Sequence, residues 1–105
     1  PADVLILPKT AELSPAVTLA TRLRAAGVRT QLYTEQKKFK AKMSYADKLG
    51  VPYVVFLGDD EIAGNVVACK DMTSGEQTTL PFAETLALIQ TGLAKRNEGA
   101  VILEK

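Results

Sequence analysis

A strand that is apolar on both faces must be covered on both faces, and this chain opens on one. Val4-Leu5-Ile6-Leu7 is a continuous apolar run between Asp3 and Pro8. Antiparallel strands with one wet face alternate apolar and polar residues; an unbroken run belongs in a parallel sheet with helices on either side. Val51 to Leu57, with Tyr53, Val54, Val55 and Phe56, is the most apolar run and reads as a central strand. The segments between these runs have helical spacing. Ser14-Pro15 predicts a helix start, with Ser14 as N-cap and Pro15 at the first helical position. Ala16, Leu19, Ala20 and Leu23 then share a stripe that Gly27 ends. Val28 to Tyr33 alternates and reads as a second strand. Gln36 to Leu49 reads as a second helix, with Phe39, Met43, Ala46 and Leu49 on its buried stripe and Gly50 at its end.

After Leu57 the pattern changes. Gly58-Asp59-Asp60-Glu61 breaks it, and Ala63-Gly64-Asn65 predicts a turn. Val66 to Cys69 is a fourth strand, Thr73-Ser74-Gly75-Glu76 a hairpin turn and Gln77 to Leu80 a fifth strand. Phe82, Leu86, Ile89 and Leu93 mark a third helix, and residues 97–105 read as a tail in which Val101-Ile102-Leu103 could dock. The order β-α-β-α-β-β-β-α makes the first three strands parallel through two crossovers. The expectation is one α/β domain: a mixed sheet of about five strands between two helical layers, a three-layer α/β/α sandwich with three helices. Ligands of such sheets meet the loops at the carboxyl ends of the parallel strands. Here those loops are Pro8 to Leu13, Tyr33 to Gln36 and Gly58 to Gly64.

Much chemistry is excluded. The chain has no histidine and a single cysteine, Cys69. Ser-His-Asp and Cys-His catalysis, His-built zinc sites and internal disulfides are therefore ruled out. The first βα loop, Pro8-Lys9-Thr10-Ala11-Glu12, lacks glycine, so neither the dinucleotide fingerprint nor a phosphate loop is present. Asp59-Asp60-Glu61 lacks calcium-loop spacing and is not assigned a metal. Cys69, mid-strand and without a partner base, reads as a small buried apolar residue. No apolar run reaches the roughly 20 residues of a membrane span, and no basic signal-peptide start is present. A reduced, cytoplasmic setting is expected. The chain starts at Pro1 with no methionine and is read as a piece of a larger protein; alone it is expected to be non-catalytic.

The formal net charge is only +1, yet Gln36 to Gly50 carries Lys37, Lys38, Lys40, Lys42 and Lys48 against Asp47 alone. One reading is a solvated helix face. The other is a polyanion footprint. Lys37 and Lys38 stand at a helix N-terminus, where the dipole disfavours cations, and they adjoin the ligand-facing edge. Base reading by a single-stranded RNA partner would need hydrogen-bonding groups nearby; Tyr33, Thr34, Glu61 and Lys70 are the candidates.

The run YADKLGVPYVVFLGDDEI, Tyr45 to Ile62, resembles the anticodon-binding domain of class II aminoacyl-tRNA synthetases for histidine, threonine, proline and glycine. Tyr45-Ala46-Asp47-Lys48-Leu49-Gly50 with Pro52, then Asp60-Glu61, Val66 to Asp71 and Gly75-Glu76-Gln77, is most similar to the histidine branch. Asn65 and Cys69 depart from that branch's usual residues. The resemblance covers about residues 3–94 and implies a sheet of order 2-1-3-4-5 with strand 4 antiparallel. It implies RNA contacts at Glu61, Lys70, Lys42, Lys40, Lys38 and Lys37, and on the loop of Tyr33 and Thr34. It implies the anticodon stem-loop of histidine tRNA as partner, with neither DNA nor membrane, and no cofactor for this domain. It implies a dimeric cytoplasmic parent that joins histidine to tRNA with ATP and Mg²⁺ in a separate catalytic domain. The alternatives are a threonine or proline branch, or a domain of the same descent that docks a small ligand or a protein.

Overall fold

The alternation of side chains along the first strand sets the layers. The computed structural model describes residues 2–104, with side chains to residue 97. In β1 (Val4–Pro8), Val4 and Ile6 face one core, and Leu5 and Leu7 face another. The first core is closed by α1 (Ser14–Ala25) through Ala16, Leu19, Ala20 and Leu23. It is completed by α4 (Phe82–Glu104) through Ile89, Phe82, Leu86 and Leu93. The second core lies under α2 (Phe39–Leu49), which contributes Ala46 and Met43. Tyr53, Val55 and Leu57 of β3 (Tyr53–Leu57) belong to the first core, Val54 and Phe56 to the second.

The sheet has five strands in the order β2-β1-β3-β4-β5. β2 (Thr30–Leu32), β1 and β3 are parallel. β4 (Val67–Asp71) runs antiparallel to β3, and β5 (Gln77–Leu80) antiparallel to β4. The three-layer architecture and strand order expected from the sequence are observed. The Asp71 carboxylate holds the β4–β5 turn by accepting the amides of Thr73 (2.8 Å) and Ser74 (3.2 Å). Gly27 and Gly50 end the first two helices with φ of 86° and 71°, a left-handed geometry that costs glycine little.

Several details differ from the sequence expectations. Ser14 is not the cap of α1; Leu13 holds that position and offers no side-chain acceptor. Instead the Glu12 carboxylate accepts both the Ser14 amide (3.1 Å) and hydroxyl (2.7 Å), and these bonds hold its carboxyl below the usual range. A charge at a helix N-terminus serves as well as a neutral cap. Gly58 to Gly64 is not irregular: Asp59–Gly64 forms a short helix, α3, so among the described residues the helices number four instead of three. The acids suit its first turn, and Glu61 reaches back to cap Gly58. α2 begins at Phe39, three residues later than expected, and β2 covers only Thr30–Leu32. Finally, α4 runs to Glu104 where a tail was expected. The side chains of Val101-Ile102-Leu103 lie outside the described residues.

Candidate nucleic-acid interface

The carboxyl ends of β1 and β3 meet at Pro8 and Leu57, which are paired in register. Two side chains flank the turn that follows β3. Glu61, in the first turn of α3, accepts the Gly58 amide through Oε1 at 2.8 Å. Lys9, just past β1, packs against the same residue: a Cβ at Gly58 would sit 3.0 Å from Glu61 Oε1 and 3.3 Å from Lys9 Cβ. A side chain there would be in tight contact with both groups, so glycine leaves them room to close around the turn. Among the described residues no hydrogen bond engages the second Glu61 oxygen, and the side chain is partly exposed. That oxygen is oriented by the cap and free to accept from an imino or amino donor.

α2 supplies the basic side of the edge, though not as its helical phase suggests. Phe39 is 43 % exposed and Leu49 38 %, while Lys42 is 9 % exposed. Its Nζ donates to the Pro8 carbonyl at 2.6 Å, and its stem takes the place an apolar residue would fill beside Ala46. Lys42, expected as an RNA contact, is thus placed inside the fold, where it ties α2 to the end of β1. Tyr33, expected on the RNA-contacting loop, is also enclosed. It is 8 % exposed, meets Tyr45 edge-on at 5.4 Å between centroids, and lies 5.8 Å from Lys42 Nζ. A ring so enclosed cannot stack on a base. Burial pushes its phenol above the ordinary range, and the Glu35 carboxylate, 3.4 Å from its hydroxyl, adds to this.

Lys37, Lys38 and Lys40 are exposed, the first two on the loop entering α2, and Thr34 is exposed just past β2. Lys70 stands elsewhere. It pairs with Val54 and Gln77, on the sheet face that carries α2. Because β4 is antiparallel, its end points away from the loops of β1 and β3. Lys70 is three residues short of Leu57, or about 10 Å along the strand. The fold therefore gathers Glu61, Lys9 and Phe39 at one edge, with exposed Lys38 and Lys40 next to Phe39 in sequence, and leaves Lys70 along the sheet.

Two residues of this edge were not singled out in the sequence. Lys9 Nζ lies 5.1 Å from the Phe39 ring centroid and 5.5 Å from that of Phe56, while Phe39 rests on Phe56 at 5.4 Å. Lys9 could have been found as a charge at the mouth of a βα loop. Phe39 could not, because its spacing is that of a core residue. Cys69 is buried as expected, and burial, with the Asp71 charge adding, pushes its thiol up to about 12. No group of three or more metal-ligating side chains occurs among the described residues. No described helix is long and apolar enough to cross a membrane.

A family model described as the anticodon binding domain matches residues 3–92. The chain belongs to that family. It is 38 % identical over 90 residues to the histidine–tRNA ligase of Xylella fastidiosa strain M23, covering 86 % of this chain and 19 % of that protein. It thus spans about a fifth of the curated relatives it matches. Its fold superimposes on the histidyl-tRNA synthetase of Nostoc sp. PCC 7120 with a TM-score of 0.82 and 31 % identity, over 89 % of this chain and 23 % of that one. The RNA binding domain of threonyl-tRNA synthetase from Cryptosporidium parvum gives a TM-score of 0.79 at 14 % identity, over 86 % and 23 %. That last likeness is one of fold alone, so architecture does not separate the histidine and threonine branches.

Proposed function

We propose that this domain recognises the anticodon stem-loop of histidine tRNA as the C-terminal part of a larger histidine–tRNA ligase. The observation that carries the reading is the loop edge of the family fold, where an oriented carboxylate stands beside exposed lysines. On this reading, the free oxygen of Glu61 accepts from the imino or amino groups of an unpaired base, such as the guanine Watson–Crick edge. Lys9, Lys37, Lys38 and Lys40 meet the loop phosphates, and Thr34 offers a hydroxyl at the same edge. Lys70 lies where RNA crossing the open sheet would pass. Lys42 and Tyr33 act indirectly, by holding α2 in place.

The parent enzyme would form histidyl-adenylate and then pass the histidine to tRNA, with ATP and Mg²⁺ held in a separate catalytic domain. It would be a cytoplasmic homodimer. On this reading the domain contributes recognition and positioning, and the chemistry belongs to the catalytic domain; the glycine-free Pro8 to Glu12 loop, which lacks a phosphate-loop motif, agrees with that division. Support for the histidine branch is the identity to histidine–tRNA ligases across most of this chain.

The test is a titration of the 105-residue chain with histidine, threonine and scrambled-loop anticodon stem-loops at two salt concentrations. The histidine stem-loop should bind best, and Glu61→Gln should narrow its advantage by roughly tenfold, the loss of one charged hydrogen bond. Equal binding of the scrambled loop would defeat the specific reading. A preference for the threonine loop would move the chain to that branch, and no RNA binding would favour a docking role.

A further inference from the structure

Phe39 is the anomaly of the interface. Its helical spacing is that of a core residue, yet it is 43 % exposed on a helix whose neighbouring Lys42 is buried. An exposed phenyl ring forgoes hydrophobic burial, and here the ring is also held in place. Phe56, only 3 % exposed, supports it from below at 5.4 Å. Lys42, bonded to the Pro8 carbonyl at 2.6 Å, pins the first turn of α2 to the end of β1. Lys9 arrives from a different loop and sets its ammonium 5.1 Å from the ring centroid. Lys38 and Lys40 flank the ring in sequence, and both are exposed.

A rigid, accessible aromatic ring among cations is the arrangement that binds unpaired nucleotides. The ring stacks on the base, the ammonium groups meet the phosphates, and neither contact depends on which base is present. We propose that Phe39, with Lys9 beside it, is a stacking platform for one unpaired base, separate from the base that Glu61 reads. This rests on the RNA reading of the domain. Glu61 would supply discrimination, and Phe39 affinity without discrimination. In the free protein Lys9 shields part of the ring by a cation–π contact; on binding, its flexible stem lets the ammonium swing to the incoming phosphate. Phe39 thus projects outward at a position whose spacing belongs to the core.

The test uses the 105-residue chain and an anticodon stem-loop of the histidine type carrying 2-aminopurine at one loop position at a time. For the wild type, one position should show quenched fluorescence on binding, as a stacked base does. Phe39→Leu should abolish that quenching and weaken binding roughly tenfold for histidine and scrambled loops alike, while Phe39→Trp restores both. Lys9→Gln should keep the quenching and lower the salt slope by about 0.7, one phosphate contact. Circular dichroism melts of each variant confirm that α2 is intact. If Phe39→Leu binds and quenches like the wild type while Glu61→Gln loses discrimination, the platform is wrong and the RNA reading stands. If the wild type binds no stem-loop, both fail.

Discussion

Lys42 holds an ammonium group in a place where the helix pattern calls for a hydrocarbon. Its bond to the Pro8 carbonyl at 2.6 Å fixes the basic edge to the sheet. Lys42→Met keeps the stem and removes the donor, leaving a buried carbonyl without a partner. We expect a loss of about 1–3 kcal/mol in urea denaturation, the range for a buried polar group left unpaired. Asp3 plays a comparable part at the other end of β1. It accepts the Arg29 amide and forms a two-point pair with the guanidinium at 2.9 and 3.2 Å. Burial pushes its carboxyl up, but the Arg29 hydrogen bonds and charge outweigh this and leave it below the ordinary value. The contribution is therefore complete above about pH 4 and fades as pH falls through the lowered folded value. Asp3→Asn should melt below the wild type at pH 7, and the gap should close in acid melts.

At the level of elements, α4 and the sheet approach more closely than ordinary side chains allow. A methyl group at Gly92 would overlap the Tyr53 hydroxyl, and the tyrosine, 4 % exposed, has little room to yield. Gly92→Ala should cost roughly 1–3 kcal/mol through overpacking, against the usual gain in helix propensity. Adding Tyr53→Phe removes the clashing oxygen, so the double variant should recover part of the loss; thermal melts of the set decide this. The elements themselves were legible in the sequence where a period ran unbroken. The stripe of Ala16, Leu19, Ala20 and Leu23 is buried as read, and β5 has the limits expected. Apart from the rotation of α2, which exposes Phe39 and Leu49, the failures are at helix ends and in the short α3. The start of α1 depends on how far the Glu12 carboxylate reaches, and α3 on whether six residues close a turn with Glu61 as their cap. Both are decided by side-chain hydrogen bonds that periodicity does not register.

For the whole molecule, the net charge of +1 sets how the domain meets RNA. So little overall charge gives weak attraction at a distance, and affinity must come from one local patch. With Lys9, Lys37, Lys38 and Lys40 on loop phosphates, log affinity should fall with log salt at a slope near −3, about 0.7 for each contact. Replacing Lys37, Lys38 and Lys40 together by Gln should leave a slope near −0.7 in filter-binding or fluorescence titrations. Lys70→Gln should change affinity but not the edge's geometry, since it stands about 10 Å away along β4. The sequence alone determined the layers, because unbroken apolar runs and helical stripes state which surfaces need covering, while the strand order and the family rested on the resemblance carried by Tyr45 to Ile62. Only the tertiary structure decided which lysine stays free and which aromatic remains in water. A helix of given pattern can settle at slightly different rotations, and the rotation of α2 was chosen by a buried carbonyl on a strand 34 residues away.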